Sequence, residues 1–425
     1  MVQNDLLDLK HESKTENKIT IESHKLNGCA APDDSDAAGQ NQTSTIPIHS
    51  SDEIPKISPD LNSKTHYRVG YWLNVKSTQL KSWTESIELC RRHGIELVEL
   101  DLDSELEIQL PFDLIVHKII ALYKPKLRGA NSTVGAHFKR LLSFIENHPE
   151  IRVIDPVDPQ FELFNREYVC KLIQNTCDEL KIDWKNINGS LERGENPEYN
   201  VCVEIPTWHK LDKAPESEVE LEKLTGLQLP CICKCVDTWD AKSHEMSIIF
   251  SWNQLLDSSQ VPRYPIILQN FVRHQMVLFK VYVFGEEIVI QKRPSVDIPE
   301  NYNSETGPII FNGHKLSKTD QTDLTDVQIQ QLQCPNVHAC FHMQTVSRVV
   351  ESIRKKIGLN IFGLDFLIAA NEQISTSACD TSDANNESSV NPHYLVDINP
   401  FPGWSSLNHL PDLLLKFLLS KLETH

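Results

Sequence analysis

Two stretches near the C-terminal end decide how this chain is read: Phe362-Gly-Leu-Asp-Phe-Leu-Ile368 and Leu395-Val-Asp-Ile-Asn-Pro-Phe-Pro-Gly403. Residues two apart on a strand point to one face, so Asp397 and Asn399 aim together while Val396 and Ile398 fill the other side. If the two strands pair, Asp365 joins them. Two carboxylates and an amide oxygen are a hard, all-oxygen set suited to magnesium, with water and phosphate completing the octahedron. Either stretch alone reads more simply as a surface strand with acidic positions, because short motifs recur by chance. Residues 371–392 between them are rich in Ser, Thr, Asn and Asp, the composition of a mobile loop joining two paired strands.

Outward from this acidic pair lies a basic set. Lys118 ends a strand-like run, Arg166 falls on a helix, and Lys234 and Lys280 sit inside Cys231-Ile-Cys-Lys-Cys235 and Leu278-Phe-Lys-Val-Tyr-Val283. Lysine is almost never fully buried without a partner. One such lysine reads as protection of a sheet edge; four beside a candidate magnesium site point to phosphate binding. The net charge of −18 excludes a general nucleic-acid or membrane-surface binder, so an anionic substrate must meet a local basic cluster.

Residues 1–66 are polar and without period, a composition predicting a disordered tail. Strands at 68–73, 95–100, 112–118 and 151–154 then alternate with helices at 83–93 and 134–147, an α/β layer with a mostly parallel sheet. A helix is expected over 164–174 and a polar loop or broken helix over 178–200. Strands follow at 202–205, 231–235, 246–250 and 266–269, then a pair at 278–284 and 288–291 turning on Gly285. A helix is expected at 346–357 with Gly358 as its C-cap, before strands at 361–368 and 394–398 and an amphipathic helix at 411–419. The sum is an α+β chain in three lobes, 67–165, 166–268 and 269–425. The 11 cysteines form no disulfide framework, and the N-terminus lacks the pattern of a secretory signal. A reduced, cytoplasmic or nuclear monomer is expected. Cys231, Cys233 and Cys235 read as core residues, and Cys334, His338, Cys340 and His342 have the wrong first gap for a zinc finger.

From Tyr67 onward the chain resembles the inositol-tetrakisphosphate 1-kinase family, also called inositol 1,3,4-trisphosphate 5/6-kinases. The resemblance rests on Arg68-Val-Gly-Tyr-Trp-Leu73, Asp113-Leu-Ile-Val-His-Lys118, Ser243-His-Glu-Met246, Leu268-Gln-Asn-Phe-Val272, Val277-Leu-Phe-Lys-Val-Tyr-Val283, Arg293-Pro-Ser295 and the two stretches above, in that order. It implies an ATP-grasp fold with a Rossmann-like first lobe that binds substrate. It implies ATP as co-substrate, one or two magnesium ions, and soluble inositol polyphosphates as partners, with neither nucleic acid nor membrane.

By that resemblance Arg166, Lys234, Gln269, Asn270, Phe271, Val272, Ser295 and Ser317 hold the nucleotide. Lys76, Lys118, His244, Lys280, Asn399 and Gly403 hold the substrate, and Asp365, Asp397 and Asn399 hold magnesium, with Lys234, Lys280 and Asp397 nearest the chemistry. Two positions depart from the family: Asp240 stands where a loop glycine is usual, and Ser77 where a lysine is usual. Lys76 replaces that lysine only if the strand end shifts register. Two other readings share the acidic site, an ATP-grasp ligase joining a carboxylate to an amine and a non-catalytic inositol phosphate-binding protein.

Overall fold

The computed structural model describes residues 46–47, 66–122, 133–190, 203–217, 220, 226–296, 298–299, 302–303, 305–316, 343–370, 392–404, 407 and 409–423. The expected tail (apart from Ile46, Pro47 and His66), the 371–392 loop up to Asn391, and the Cys334–His342 cluster lie outside these residues. Ile46–Pro47, within the segment expected to be disordered, forms a two-residue strand, β1.

Strands β2 (Tyr67–Trp72), β3 (Ile95–Glu99), β4 (Leu114–His117) and β5 (Arg152–Ile154) make a parallel sheet in the order β3-β2-β4-β5. Helices α1 (Val75–Thr78), α2 (Lys81–Arg92) and α3 (Thr133–Asn147) lie in its connections, and α4 (Val157–Glu162) follows β5. Every residue of β4 is buried, as expected of a parallel strand covered on both faces. In such sheets ligands gather beyond the carboxyl ends of the strands. Here Lys118 and Asp155 emerge at those ends.

Helix α5 runs from Arg166 to Ser190, so the segment expected as a loop or broken helix over 178–200 is unbroken helix as far as Ser190, and 191–200 lies outside the described residues. Tertiary contacts override its composition: Val169, Ile173 and Cys177 line a buried stripe, and Glu179 and Lys181 pair with Lys356 and Glu204. Beyond it come β6 (Val203–Glu204), β7 (Trp208–Leu211), β8 (Cys231–Cys235), β9 (Glu245–Ile249) and β10 (Ile266–Asn270). Together with β13 (Ile309–Asn312), four of these form an antiparallel sheet ordered β13-β9-β8-β10-β7. Neither β7 nor β13 is among the strands expected from sequence, because β7 is half-buried on both faces and β13 is a short edge exposing Ile310. Cys231, Cys233 and Cys235 are buried free thiols, the first two in its core.

The third sheet is ordered β1-β12-β11-β14-β15-β6, built on β11 (Val277–Phe284), β12 (Glu287–Pro294), β14 (Ile361–Ile368) and β15 (His393–Pro400). Gly285 turns β11 into β12 with φ of 59°, and a Cβ there would lie 3.2 Å from the Phe417 ring. A short helix, α6 (Gly313–Leu316), follows β13, and α7 (Met343–Ile357) ends at Gly358, whose φ of 66° fits the expected C-cap. One face of the sheet packs Val281, Val283, Phe362, Leu364 and Ile398 against α5 and α7. The other packs Tyr282, Phe284 and Ile361 against α8 (Leu410–Leu422) and the parallel sheet.

Trp404 and Trp83 stack at 5.7 Å with an interplanar angle of 7°, fusing the first and last parts of the described fold into one core. Trp404→Ala is therefore expected to lose about 3–5 kcal/mol in chemical denaturation. A loss below ~1 kcal/mol would show that this core is not shared. Among the described residues no helix is long and apolar enough to cross a membrane.

Candidate active site

The acidic pair lies where three adjacent strands meet in register. Lys280 on β11 faces Asp365 on β14, and Asp365 faces Asp397 on β15. Directly opposed residues share a face, so an ammonium and two carboxylates form one row across the sheet. Lys280 Nζ donates to Asp365 Oδ1 at 2.8 Å, and Asn399 Nδ2 donates to Asp365 Oδ2 at 3.2 Å. Asp397 Oδ1 accepts the Ile398 N–H at 2.9 Å. The β14–β15 ladder breaks register just after Asp365, as bulges near active sites do. Burial works against the charge on Lys280, but Asp365 beside it prevails and raises its pKa.

Gln291 on β12 continues the row opposite Lys280, and Arg293 bonds to Gln291 Oε1 at 2.9 Å and the Tyr282 hydroxyl at 3.3 Å. Gln291 is in none of the quoted segments, and Arg293 is in one of them without an assigned role. Period-two spacing along β12 was the signal, legible only once the register with Lys280 is known.

Lys234 reaches this row from the second sheet. Its Nζ donates to Gln269 Oε1 at 2.9 Å and to the Val396 carbonyl, next to Asp397, at 3.4 Å. Burial lowers its pKa, and Asp397 opposes that fall. Gln269 is itself buried and donates to Pro206 O at 3.4 Å. Next to it, the Asn270 and Phe271 N–H groups are committed to Thr207 O and Pro230 O. His274, which the sequence reading passed over, joins two predicted nucleotide residues: Nδ1 pairs with Val272 O at 2.7 Å and Nε2 with Ser295 Oγ at 2.8 Å. A carbonyl only accepts, so Nδ1 carries a proton.

Lys118 comes from the parallel sheet. Its ammonium lies 5.4 Å from the centre of the Phe401 ring, within cation–π range, which brings it to the Asn399–Gly403 segment. His117 before it is fully buried, and burial pushes its pKa down to about 4, so it stays neutral near pH 7. A Cβ built on Gly403 meets nothing within 4 Å, leaving open space beside that segment.

Residues 197–420 match the inositol 1,3,4-trisphosphate 5/6-kinase ATP-grasp domain, and residues 68–159 match the pre-ATP-grasp domain of the same family. The chain belongs to this family. It is an enzyme of the inositol phosphate kinase class, with an ATP-grasp domain. It is 29% identical to the inositol-tetrakisphosphate 1-kinase of Danio rerio over 362 residues, 84% of this chain and 79% of that one. The corresponding kinase of Xenopus laevis is 26% identical over 82% of this chain and 79% of its own. Inositol-tetrakisphosphate 1-kinase 3 of Arabidopsis thaliana is 27% identical over 84% of this chain and 85% of its own.

The kinase's two departures have local explanations. Asp240 is extended, with φ of −131° and ψ of 169°, a conformation that requires no glycine. Its carboxylate accepts the Ser243 N–H and pairs with Arg263 Nη1, both at 2.9 Å. Burial raises its pKa, but Arg263 and the backbone donors prevail and hold it below the ordinary value. The loop carrying Asp240 is braced from below. Arg166 Nη1 donates to Cys235 O at 2.7 Å and Ser243 O at 3.2 Å, one at each end, while Trp239 packs 4.4 Å from Phe164. His244 follows the second braced end. Arg263→Ala is expected to cost no more than about 1 kcal/mol in thermal or chemical melts, since the pair is half-exposed. A larger loss would make the pair a structural anchor.

Ser77 is buried, and its N–H and hydroxyl bond to Asn74 Oδ1 at 3.1 and 2.6 Å. It lies on the single turn α1, not on a strand end, so the strand-register argument for Lys76 does not apply. The Lys76 side chain and Ser317 lie outside the described residues.

Proposed function

We propose that the enzyme transfers the γ-phosphoryl group of ATP to a hydroxyl of a soluble inositol polyphosphate, with magnesium held by Asp365, Asp397 and Asn399. The observation that carries this reading is the cross-strand row Lys280, Asp365, Asp397, reached by Lys234 from the second sheet. Phosphoryl transfer needs little covalent help from the protein and depends on position and on neutralised charge. The hard oxygen donors fit magnesium, which when bound would offset charge on the phosphates.

Lys234 and Arg166 hold the nucleotide phosphates, while Gln269, Asn270, Phe271, Val272, Ser295 and Ser317 hold the rest of ATP. Lys118, His244, Lys280 and Lys76, with Asn399 and Gly403, hold the substrate. Ionised hydrogen bonds of this kind are roughly twice as strong as neutral ones, so the substrate's own phosphates fix which hydroxyl faces ATP. Lys280 and Asp365 form an ion pair at 2.8 Å, so ammonium and carboxylate charge balance within the row.

The test is to incubate the full chain with ATP, magnesium and a panel of inositol tris- and tetrakisphosphates and to resolve the products by anion exchange. ADP and an inositol phosphate bearing one more phosphate should form in equal amounts. ADP release without such a product on any member of the panel would defeat the reading.

A further inference from the structure

Asp155 follows β5 as Lys118 follows the neighbouring β4, and the pairing of Val116 with Ile154 sets Asp155 level with His117, one residue before Lys118. Asp155 bonds the start of β14, and Lys118 lies over Phe401, just past the end of the adjacent β15. The Asp155 side chain belongs to a residue only 1% exposed, yet it reaches across to the start of β14. Its Oδ1 accepts the Asn360 N–H at 2.8 Å and Asn360 Nδ2 at 2.7 Å, and its Oδ2 accepts the Ile361 N–H at 2.7 Å. The Ile361 carbonyl in turn accepts the Phe401 N–H at 3.3 Å, and Phe401 lies under the Lys118 ammonium. Two residues along β14, Gly363 pairs with Asn399.

We propose that Asp155 is a positioning residue for the substrate half of the active site. It sets the spacing between Lys118 and the Asn399–Gly403 segment without touching the substrate. The proposal rests on the reading of Lys118 and Asn399 as substrate ligands. All three partners are donors, so the site requires a group that only accepts. Burial raises the pKa of this carboxyl, and the three donors oppose that rise. Gln160 Nε2 holds the Asp155 carbonyl at 2.9 Å, fixing the backbone from which the carboxylate reaches. The nucleotide residues Lys234 and Gln269 lie on β8 and β10 of a different sheet, and Lys234 touches the third sheet at the Val396 carbonyl, three residues before Asn399. A shift at the start of β14 should therefore reach them far less than it reaches the Asn399–Gly403 segment.

Asp155→Asn keeps the shape but turns an NH2 donor toward one of the N–H groups. It should raise the KM for the inositol phosphate by about tenfold or more and lower kcat, as misplacement of about 1 Å does. ATP affinity by calorimetry should change by less than about threefold, a margin well inside one decade of binding energy. Asn360→Ala, which removes one of the three bonds, should shift the same parameters in the same direction by less. It carries the test if Asp155→Asn does not fold. Equal losses for ATP and inositol phosphate, or an unchanged KM, would overturn the proposal. If the wild-type chain phosphorylates no inositol phosphate, the functional reading fails first. The clamp is then judged by amide exchange, which should accelerate at Asn360, Ile361 and Phe401 in either variant. Unchanged protection there would overturn it.

Discussion

With ATP and magnesium saturating for the wild type, Asp397→Ala is expected to turn over about a hundredfold more slowly or worse, several kcal/mol of transition-state stabilisation. Two effects combine. The proposed magnesium set loses one of its two carboxylates, the group directly opposite Asp365. Lys234 also loses the carboxylate that holds its pKa up against burial. A lysine must be protonated to hold phosphate, so the variant's ATP binding should fall at a lower pH than the wild type's as pH rises. The fold should persist, because β15 keeps its ladder to β14 and the Ile398 side chain stays in the core. Near-wild-type turnover at low magnesium would remove Asp397 from the metal set. Turnover lost together with the cooperative melt would reassign it to structure.

Lys118→Ala separates substrate from nucleotide. The ammonium stands on the parallel sheet, over Phe401, whereas Lys234 and Gln269 stand on the antiparallel sheet. Removing a charged hydrogen-bond partner costs about 2 kcal/mol, so inositol phosphate binding should weaken roughly thirtyfold. ATP affinity, measured separately by calorimetry, should hardly move. Equal losses for both ligands would show that the division of the site between two sheets is wrong. A ligase of the same fold would have no inositol phosphate binding to lose, and a pure binding protein would show affinity without product.

Much of the fold was legible because its determinants are local. Ile361–Ile368 and Cys231–Cys235 appear with the expected bounds, since apolar runs between turn signals specify strands wherever they pack. Gly358 ends α7 because a left-handed residue caps a helix cheaply. The misses share one cause. Helix α5 runs past Asp178 because one stripe of it is buried on a distant sheet, and β7 and β13 exist because neighbouring strands supply their ladders. Composition within a short window carries none of those partners.

The residue types of the site were in the sequence: two aspartates and an asparagine on strands, lysines inside apolar runs, and Asn-Pro-Phe-Pro-Gly after them. Those types and their order alone determined the chemistry to look for, hard anionic oxygens for a cation and ammonium groups for phosphate. Register and long-range contact decided the rest. Only the pairing of β11 with β14, and of β14 with β15, sets Lys280, Asp365 and Asp397 in one row, with Lys280 85 residues before the aspartate it bonds. Only the tertiary structure shows that Arg263 neutralises Asp240, that His274 ties Val272 to Ser295, and that Asp155 holds the start of β14. A side chain's identity fixes what it can bond to, but its partner is chosen by where the backbone ladders bring the chain together.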